Sequence, residues 1–322
     1  MAKERLLSRA AERIYWLGRY VERTENTARL LNVYGNLLFD LPLKTRFGWY
    51  TLIELLGAGE DFESRYSRRD ERNIVKFLIV DRFHPVSLGA TSAAARENAR
   101  TSRELIPAAA WEVLNDLHYH IRDRGQTALA RKARGELLAD VVAFCQRLNG
   151  LIDGTMSQDS AFHFLKLGQT LERADMITRI IDIAAATELS ANGDDAARLL
   201  EESGGYENSL WLSVLTSTSA TQMYRRHFSE RVEPGDVINF MLADEAFPRA
   251  CMSCLMAAGR ALDRLPDGKA VMTEINAAKR HLAKSPDLTF ENGVLHDFID
   301  QLQCRLAAAH AHVSETWFHH PA

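Results

Sequence analysis

Two stretches of this chain follow one pattern at an offset of 150 residues. Leu17-Gly18-Arg19-Tyr20-Val21-Glu22-Arg23-Thr24-Glu25 is answered by Leu167-Gly168-Gln169-Thr170-Leu171-Glu172-Arg173-Ala174-Asp175, and Arg29-Leu30-Leu31 by Arg179-Ile180-Ile181. Self-similarity at a fixed offset is the mark of a duplicated unit. It restricts the chain to folds that set two helices in related environments.

The spacing says what each helix carries. At about 100° per residue, Leu17, Val21 and Ala28 share one stripe, as do Leu167, Leu171 and Thr178. Gly18, Glu22, Glu25 and Arg29 form the adjoining stripe, repeated by Gly168, Glu172, Asp175 and Arg179. Each repeat therefore sets two acids and an Arg beside an apolar face, with a Gly that permits close helix approach. Arg23 and Arg173 project about 100° from their own Glu neighbours, which predicts that they serve another surface. Glu25 with Arg29 and Asp175 with Arg179 are ordinary i,i+4 pairs. Two readings stand side by side: a buried network that sets the register of two helices, or a ligand or metal site.

Helical periodicity also governs the rest of the chain, with no run of alternating strand character. The expectation is an all-α, elongated multi-helix bundle forming a single domain over 1–322, with motif helices at 8–39 and 158–188. Ser8 reads as the first N-cap, and Pro42 follows the first helix. Shorter helices are expected near 48–58 and 70–80, a loop at 82–88, then helices at 92–105 and from Pro107 to 122. Later ones are expected at 127–152, 207–228, 235–243, 247–264, 268–284 and 288–317. Gly150 and Gly154 read as punctuation before the second motif helix, and 190–206 as a surface excursion.

Charge and cysteine usage exclude several classes. A net charge of -4 does not suggest a nucleic-acid surface. No stretch approaches the roughly 20 apolar residues of a membrane span, and no signal-like run follows the N-terminus, so a cytoplasmic location is expected. Cys145, Cys251, Cys254 and Cys304 are too scattered for a disulfide framework, and Cys251-x-x-Cys254 lies in an apolar helical stretch without a preceding strand. These read as core thiols. His118 and His120 flank Tyr119 and cannot face one ligand; His310, His312, His319 and His320 crowd the C-terminus, where adventitious metal binding is the simplest reading.

The block from Ser8-Arg9-Ala10-Ala11-Glu12-Arg13 through Glu22-Arg23-Thr24-Glu25-Asn26 resembles the opening of the alpha-E family. Agreement continues at Ala95-Arg96-Glu97-Asn98-Ala99-Arg100 through Trp111-Glu112-Val113-Leu114-Asn115, at Leu167-Gly168 through Met176, at Tyr224-Arg225-Arg226 and at Phe247-Pro248-Arg249. The family's members accompany ligases of the circularly permuted ATP-grasp type. The resemblance thus implies a partner of that kind and a part in making or processing peptide-like amide bonds. Gln169, where the first repeat has Arg19, departs from the pattern and makes the repeats electrostatically unequal.

Amide chemistry on amino-acid substrates needs forks for carboxylates and acids for amines. Arg23, Arg29, Arg96, Arg100, Arg173, Arg179, Arg225 and Arg226 offer the first; Glu22, Glu25, Glu97, Glu172 and Asp175 offer the second, with Asn98 beside them. Glu22 and Glu172 are the candidates for acid/base work. Arg96, Arg100 and Arg103 follow i, i+4, i+7 and so share one face of the expected helix. Four carboxylates on two helices could hold divalent ions, but the Glu-x-x-His of di-iron bundles is absent, so no metal is assigned. No Gly-rich phosphate loop appears, and no cofactor is expected. The two functional readings are a seam that binds an amino-acid or peptide-like substrate, and a non-catalytic helical module that docks a partner ligase. Oligomerisation is compatible with either.

Overall fold

A computed structural model describes residues 6–40, 48–191, 206–228, 231–284 and 293–318. Every regular element among them is helical. Helix α1 (Ser8–Asp40) and helix α8 (Ser160–Ala191) are the two motif helices, and they form the centre of the molecule. Ser8 sits inside the first turn of α1, because the Leu7 carbonyl takes the first bonds, from Ala10 and Ala11. The region 192–205, expected as an excursion, lies outside the described residues.

The close contact of α1 and α8 is made possible by two glycines. A Cβ at Gly18 would overlap the Leu165 carbonyl oxygen, and one at Gly168 would overlap that of Tyr15. Any other residue would force the helices apart. Gly18 lies against Leu165 and Gln169, Gly168 against Tyr15, and Arg23 reaches Glu172. The register advances together along both chains, so the helices run in the same sense here.

Around this pair the chain is built twice. In the first half α4 (Glu71–Val80), α5 (Leu88–Arg100), α6 (Ala108–Arg124) and α7 (Arg131–Thr155) surround α1. In the second half α11 (Pro234–Ala243), α12 (Cys251–Leu262), α13 (Lys269–Leu282) and α14 (Val294–Val313) surround α8, and a π turn follows at Ser314–Phe318. The packing partners correspond: α1 touches α5 and α7 as α8 touches α12 and α14, and the outer helices neighbour one another in the same order. Fine details repeat as well. Asp81 Oδ1 accepts from the amides of Phe83 and His84, and Asp244 Oδ1 from those of Ala246 and Phe247. The ring cluster Phe62, Tyr66 and Phe77 is matched by Tyr224, Phe228 and Phe240. The duplication visible in two motifs therefore extends over the described chain.

One pair of elements is exchanged between the halves. Helices α2 (Tyr50–Leu55) and α3 (Gly59–Glu63) correspond to α9 (Tyr206–Ser217) and α10 (Thr221–His227). Yet α2 packs on α8, and α9 packs chiefly on α1, with a smaller contact to α8. Both pairs turn through a left-handed residue, Gly57 at φ 63° and Ser219 at φ 56°. That turn splits the single helix expected at 207–228. The helix expected at 92–105 begins earlier, where Ser87 accepts from the Gly89 amide, and ends at Arg100. Gly150 and Gly154 do not break the chain: both lie within α7, which continues to Thr155.

Candidate functional site

The repeated Glu-Arg pairs meet where α1 and α8 lie closest, and they bind reciprocally. Glu172 accepts Arg19 Nε at 2.7 Å, and Arg23 Nε and Nη2 at 2.5 and 3.0 Å. Glu22 accepts Arg173 Nε and Nη2 at 2.8 and 2.6 Å. Each Arg that follows a motif Glu thus crosses to the other helix in a two-pronged fork. The expectation that Arg23 and Arg173 serve a different surface is corrected. Their angle away from their own Glu is what directs them to the opposite one once the glycines bring the helices together. The third prong is used too: Arg23 Nη1 donates to the Pro85 carbonyl, and Arg173 Nη1 to that of Pro248. These prolines occupy equivalent places after Asp81 and Asp244.

The halves differ where Gln169 replaces Arg. Gln169 Nε2 donates to Glu22 Oε2 at 3.3 Å and to Asn149 at 3.0 Å. A second guanidinium comes instead from Arg249, whose Nη1 reaches Glu22 Oε1 at 3.2 Å and Asn26 at 3.1 Å, while Nη2 reaches Glu25 Oε1 at 2.5 Å. Arg249 thus bridges Glu22 and Glu25, two like charges three residues apart on α1. Its equivalent in the first half is Val86. Sequence reasoning placed Arg249 in a family block but not in the site, and likewise missed Arg19 and Gln169 as ligands of the motif glutamates and Asn149 as the partner of Gln169.

Farther along, Glu25 pairs with Arg29, and Asp175 with Arg179, as their spacing predicts. Arg29 Nη1 also donates to Ser219 Oγ at 2.7 Å, and Arg179 lies beside Gly57, so each ties its helix to the exchanged turn of the other half. Glu22, Glu25 and Glu172 are buried. Burial would push the pKa of Glu22 up, but the Arg173 and Arg249 guanidiniums outweigh it and hold the group at about 2. Arg19 and Arg23 do the same for Glu172, also at about 2. Both carboxyls are ionised at neutral pH, so neither is poised to exchange a proton there.

On one flank Tyr15, fully buried, shares a hydrogen bond of 2.9 Å with His310 Nδ1, and Arg19 Nη1 approaches the same hydroxyl at 3.4 Å. Burial and the neighbouring Arg19 push the His310 pKa down to about 4, so this ring is neutral at physiological pH. His310 is part of the packing around the network. Cys251 and Cys254 are buried thiols of α12, and burial pushes Cys254 up to about 12, which keeps it from acting as a nucleophile.

Several expected site residues are elsewhere. Glu97 and Arg100 pair with each other on the exposed side of α5, and Asn98 is half-buried in the same helix. Arg96 donates to Asn115 on α6. Arg103 lies beyond the end of α5, in a short 3-10 turn, so it does not continue the face of Arg96 and Arg100. Arg225 and Arg226 are exposed on α10, where Arg226 contacts the Met223 sulfur. The crevices beside the motif helices are apolar. One is lined mainly by Leu30, Tyr34, Leu55, Ile180, Leu210 and Val214, with Ser213 and Ser217; another mainly by Leu17, Val21, Ile152 and Leu165, with Asn149 and Gln169. Among the described residues no cluster of three or more His, Cys, Asp or Glu is placed to hold a metal, and no helix is long and apolar enough to cross a membrane.

A family model described as a predicted alpha-helical domain with a conserved ER motif matches residues 6–318. Two Glu-Arg pairs of this chain, Glu22-Arg23 and Glu172-Arg173, interlock at the α1–α8 contact. No curated protein and no solved structure matches the chain.

Proposed function

The chain belongs to the Alpha-E family, and on that footing we propose that it is a non-catalytic helical module that docks and stabilises a ligase of the circularly permuted ATP-grasp type. The observation that carries this reading is the reciprocal engagement of Glu22 and Glu172 by the guanidiniums of the opposite helix; of the buried acids among the described residues, Glu25 alone keeps an oxygen, Oε2, without a partner. Each of the three guanidinium nitrogens of Arg23 and of Arg173 donates to the opposite Glu or to a proline carbonyl. A substrate carboxylate would have to displace a buried carboxylate already held in a two-pronged fork. Such pairs cost several kcal/mol to break when one partner is left alone. The network is built as an internal clamp, and a clamp between duplicated halves suits a rigid scaffold.

The runner-up is a seam that binds the amino-acid or peptide-like substrate of the ligase, with Glu22 and Glu172 as amine or acid/base groups. Its support is the half-exposed Asp175–Arg179 pair, which is more open than Glu25–Arg29. Co-expression with a ligase of the circularly permuted ATP-grasp type separates the two. The module reading expects a stable complex on size exclusion and a ligase that is more heat-resistant within it, for unmodified protein and for Asp175→Asn alike. A ligase that elutes alone and is unchanged by this chain would sink the module reading.

A further inference from the structure

We propose that the outer face of α5 and α6 receives an acidic peptide segment of the partner, held by a ladder of guanidiniums set between Trp111 and Tyr119. The proposal deepens the module reading and rests on it. Arg103 lies 5.0 Å and Arg96 5.5 Å from the Trp111 ring centre; Arg96 and Arg122 lie 5.3 and 4.5 Å from that of Tyr119. Arg96 is further fixed by Asn115 Oδ1 at 2.6 Å and by the Tyr119 hydroxyl at 3.2 Å. Cation–π contacts of this kind hold a fork in place while leaving its N–H edges free.

The duplication supplies an internal control. Arg96 on α5 corresponds to Gly259 on α12, and Trp111 on α6 to Met272 on α13. A Cβ at Gly259 would meet the Met272 sulfur at 4.0 Å, so the same helix–helix contact is made in the second half without charge or aromatic ring. The fold therefore does not require the ladder. Rows of arginine and aromatic residues that the architecture does without are expected where a partner is recognised.

The occupant follows from charge. Among the described residues no ion pair engages Arg96 or Arg103; Arg122 is paired with Asp123 and Arg100 with Glu97, and Glu104, Glu112 and Asp116 are further exposed acids on these elements. Half-buried beside the ladder, His118 has its pKa pushed down by burial and then by Arg96, Arg122 and Arg82, with Asp123 opposing them. Carboxylate side chains match planar forks. Single-stranded nucleic acid is disfavoured, because its bases need open ring faces and those of Trp111 and Tyr119 carry guanidiniums.

The test uses the full chain and a fluorescein-labelled oligoglutamate peptide, read by fluorescence anisotropy at physiological salt. Binding is expected, and R103A/R122A, both at exposed positions, should weaken it about tenfold or more. R103K/R122K should fall between the two, since charge is kept and the fork is lost. No binding by the parent, equal binding by R103A/R122A, or tighter binding of an oligothymidylate of equal length would overturn the proposal. A ligase that still co-elutes with R103A/R122A would also overturn the ladder while leaving the module reading intact. A ligase that never co-elutes, beside oligoglutamate binding that depends on the ladder, would overturn the module reading alone.

Discussion

At the scale of single residues, the two motif glutamates look equivalent but are not equally backed. Glu172 depends on Arg19 and Arg23, which form no other ion pair among the described residues. Glu22 shares Arg249 with Glu25, and Arg249 keeps Glu25 and Asn26 if Glu22 is neutralised. Glu172→Gln therefore strands two buried guanidiniums, and Glu22→Gln strands only Arg173. Glu172→Gln should cost about 3–5 kcal/mol, the usual result of removing one member of a buried ion pair, and lower Tm by on the order of 5 °C or more. Glu22→Gln should cost less. Thermal melts of the two variants check this, and an equal or reversed order would show that Arg249 does not share its charge as the distances imply. Glu22, Glu172 and the i,i+4 pairs were legible in the sequence because a helix places them by spacing alone. Arg23 and Arg173 were not: a helical wheel describes an isolated helix, and their partners stand on another one. Arg249 was further out of reach, since it comes from a loop whose position depends on Asp244 and on the packing of α12.

At the scale of elements, most helices were legible from periodicity and from prolines near their starts, such as Pro107 before α6 and Pro234 at the first position of α11. The failures share a cause: tertiary contacts decided which local signals counted. Ser219 adopts a left-handed turn that nothing in its side chain favours, and it is held there by Arg29 from α1. Gly150 and Gly154 lie on the solvent side of α7 with open space around them, so their helical cost is absorbed. Gly18 and Gly168 are the opposite case. Gly168→Ala should drive a methyl into the Tyr15 carbonyl and cost at least about 3 kcal/mol, at the upper end of overpacking, because backbone of α1 rather than a flexible side chain must move. Gly150→Ala should instead stabilise by about 0.5–1 kcal/mol. Chemical denaturation of the two variants gives both numbers, and a tolerated Gly168→Ala would mean that α1 and α8 are farther apart than the glycines require.

At the scale of the whole molecule, the structure has the logic of a twofold dimer written in one chain. The Arg of each half neutralises the Glu of the other, and α2 and α9 are exchanged across the same contact. A twofold interface is self-complementary, so a half that carries both members of the pair should be able to bind a copy of itself. The first half qualifies: α1 holds Gly18 for close approach, Glu22 as acceptor, and Arg19 and Arg23 as donors. The second half is less well equipped, because Gln169 stands where Arg19 would be and Arg249 would crowd a symmetric contact with a second guanidinium. Residues 1–157 expressed alone should therefore form a homodimer, in which Arg23 of each copy reaches Glu22 of the other. As a monomer this fragment would uncover the apolar face of α1 that α8 now covers and leave Glu22 without Arg173 or Arg249. Analytical ultracentrifugation of the fragment, with Glu22→Gln as its control, decides the matter. A dimer that Glu22→Gln dissociates is the expected result. A stable monomer would show that the α1–α8 clamp depends on features that only the second half supplies.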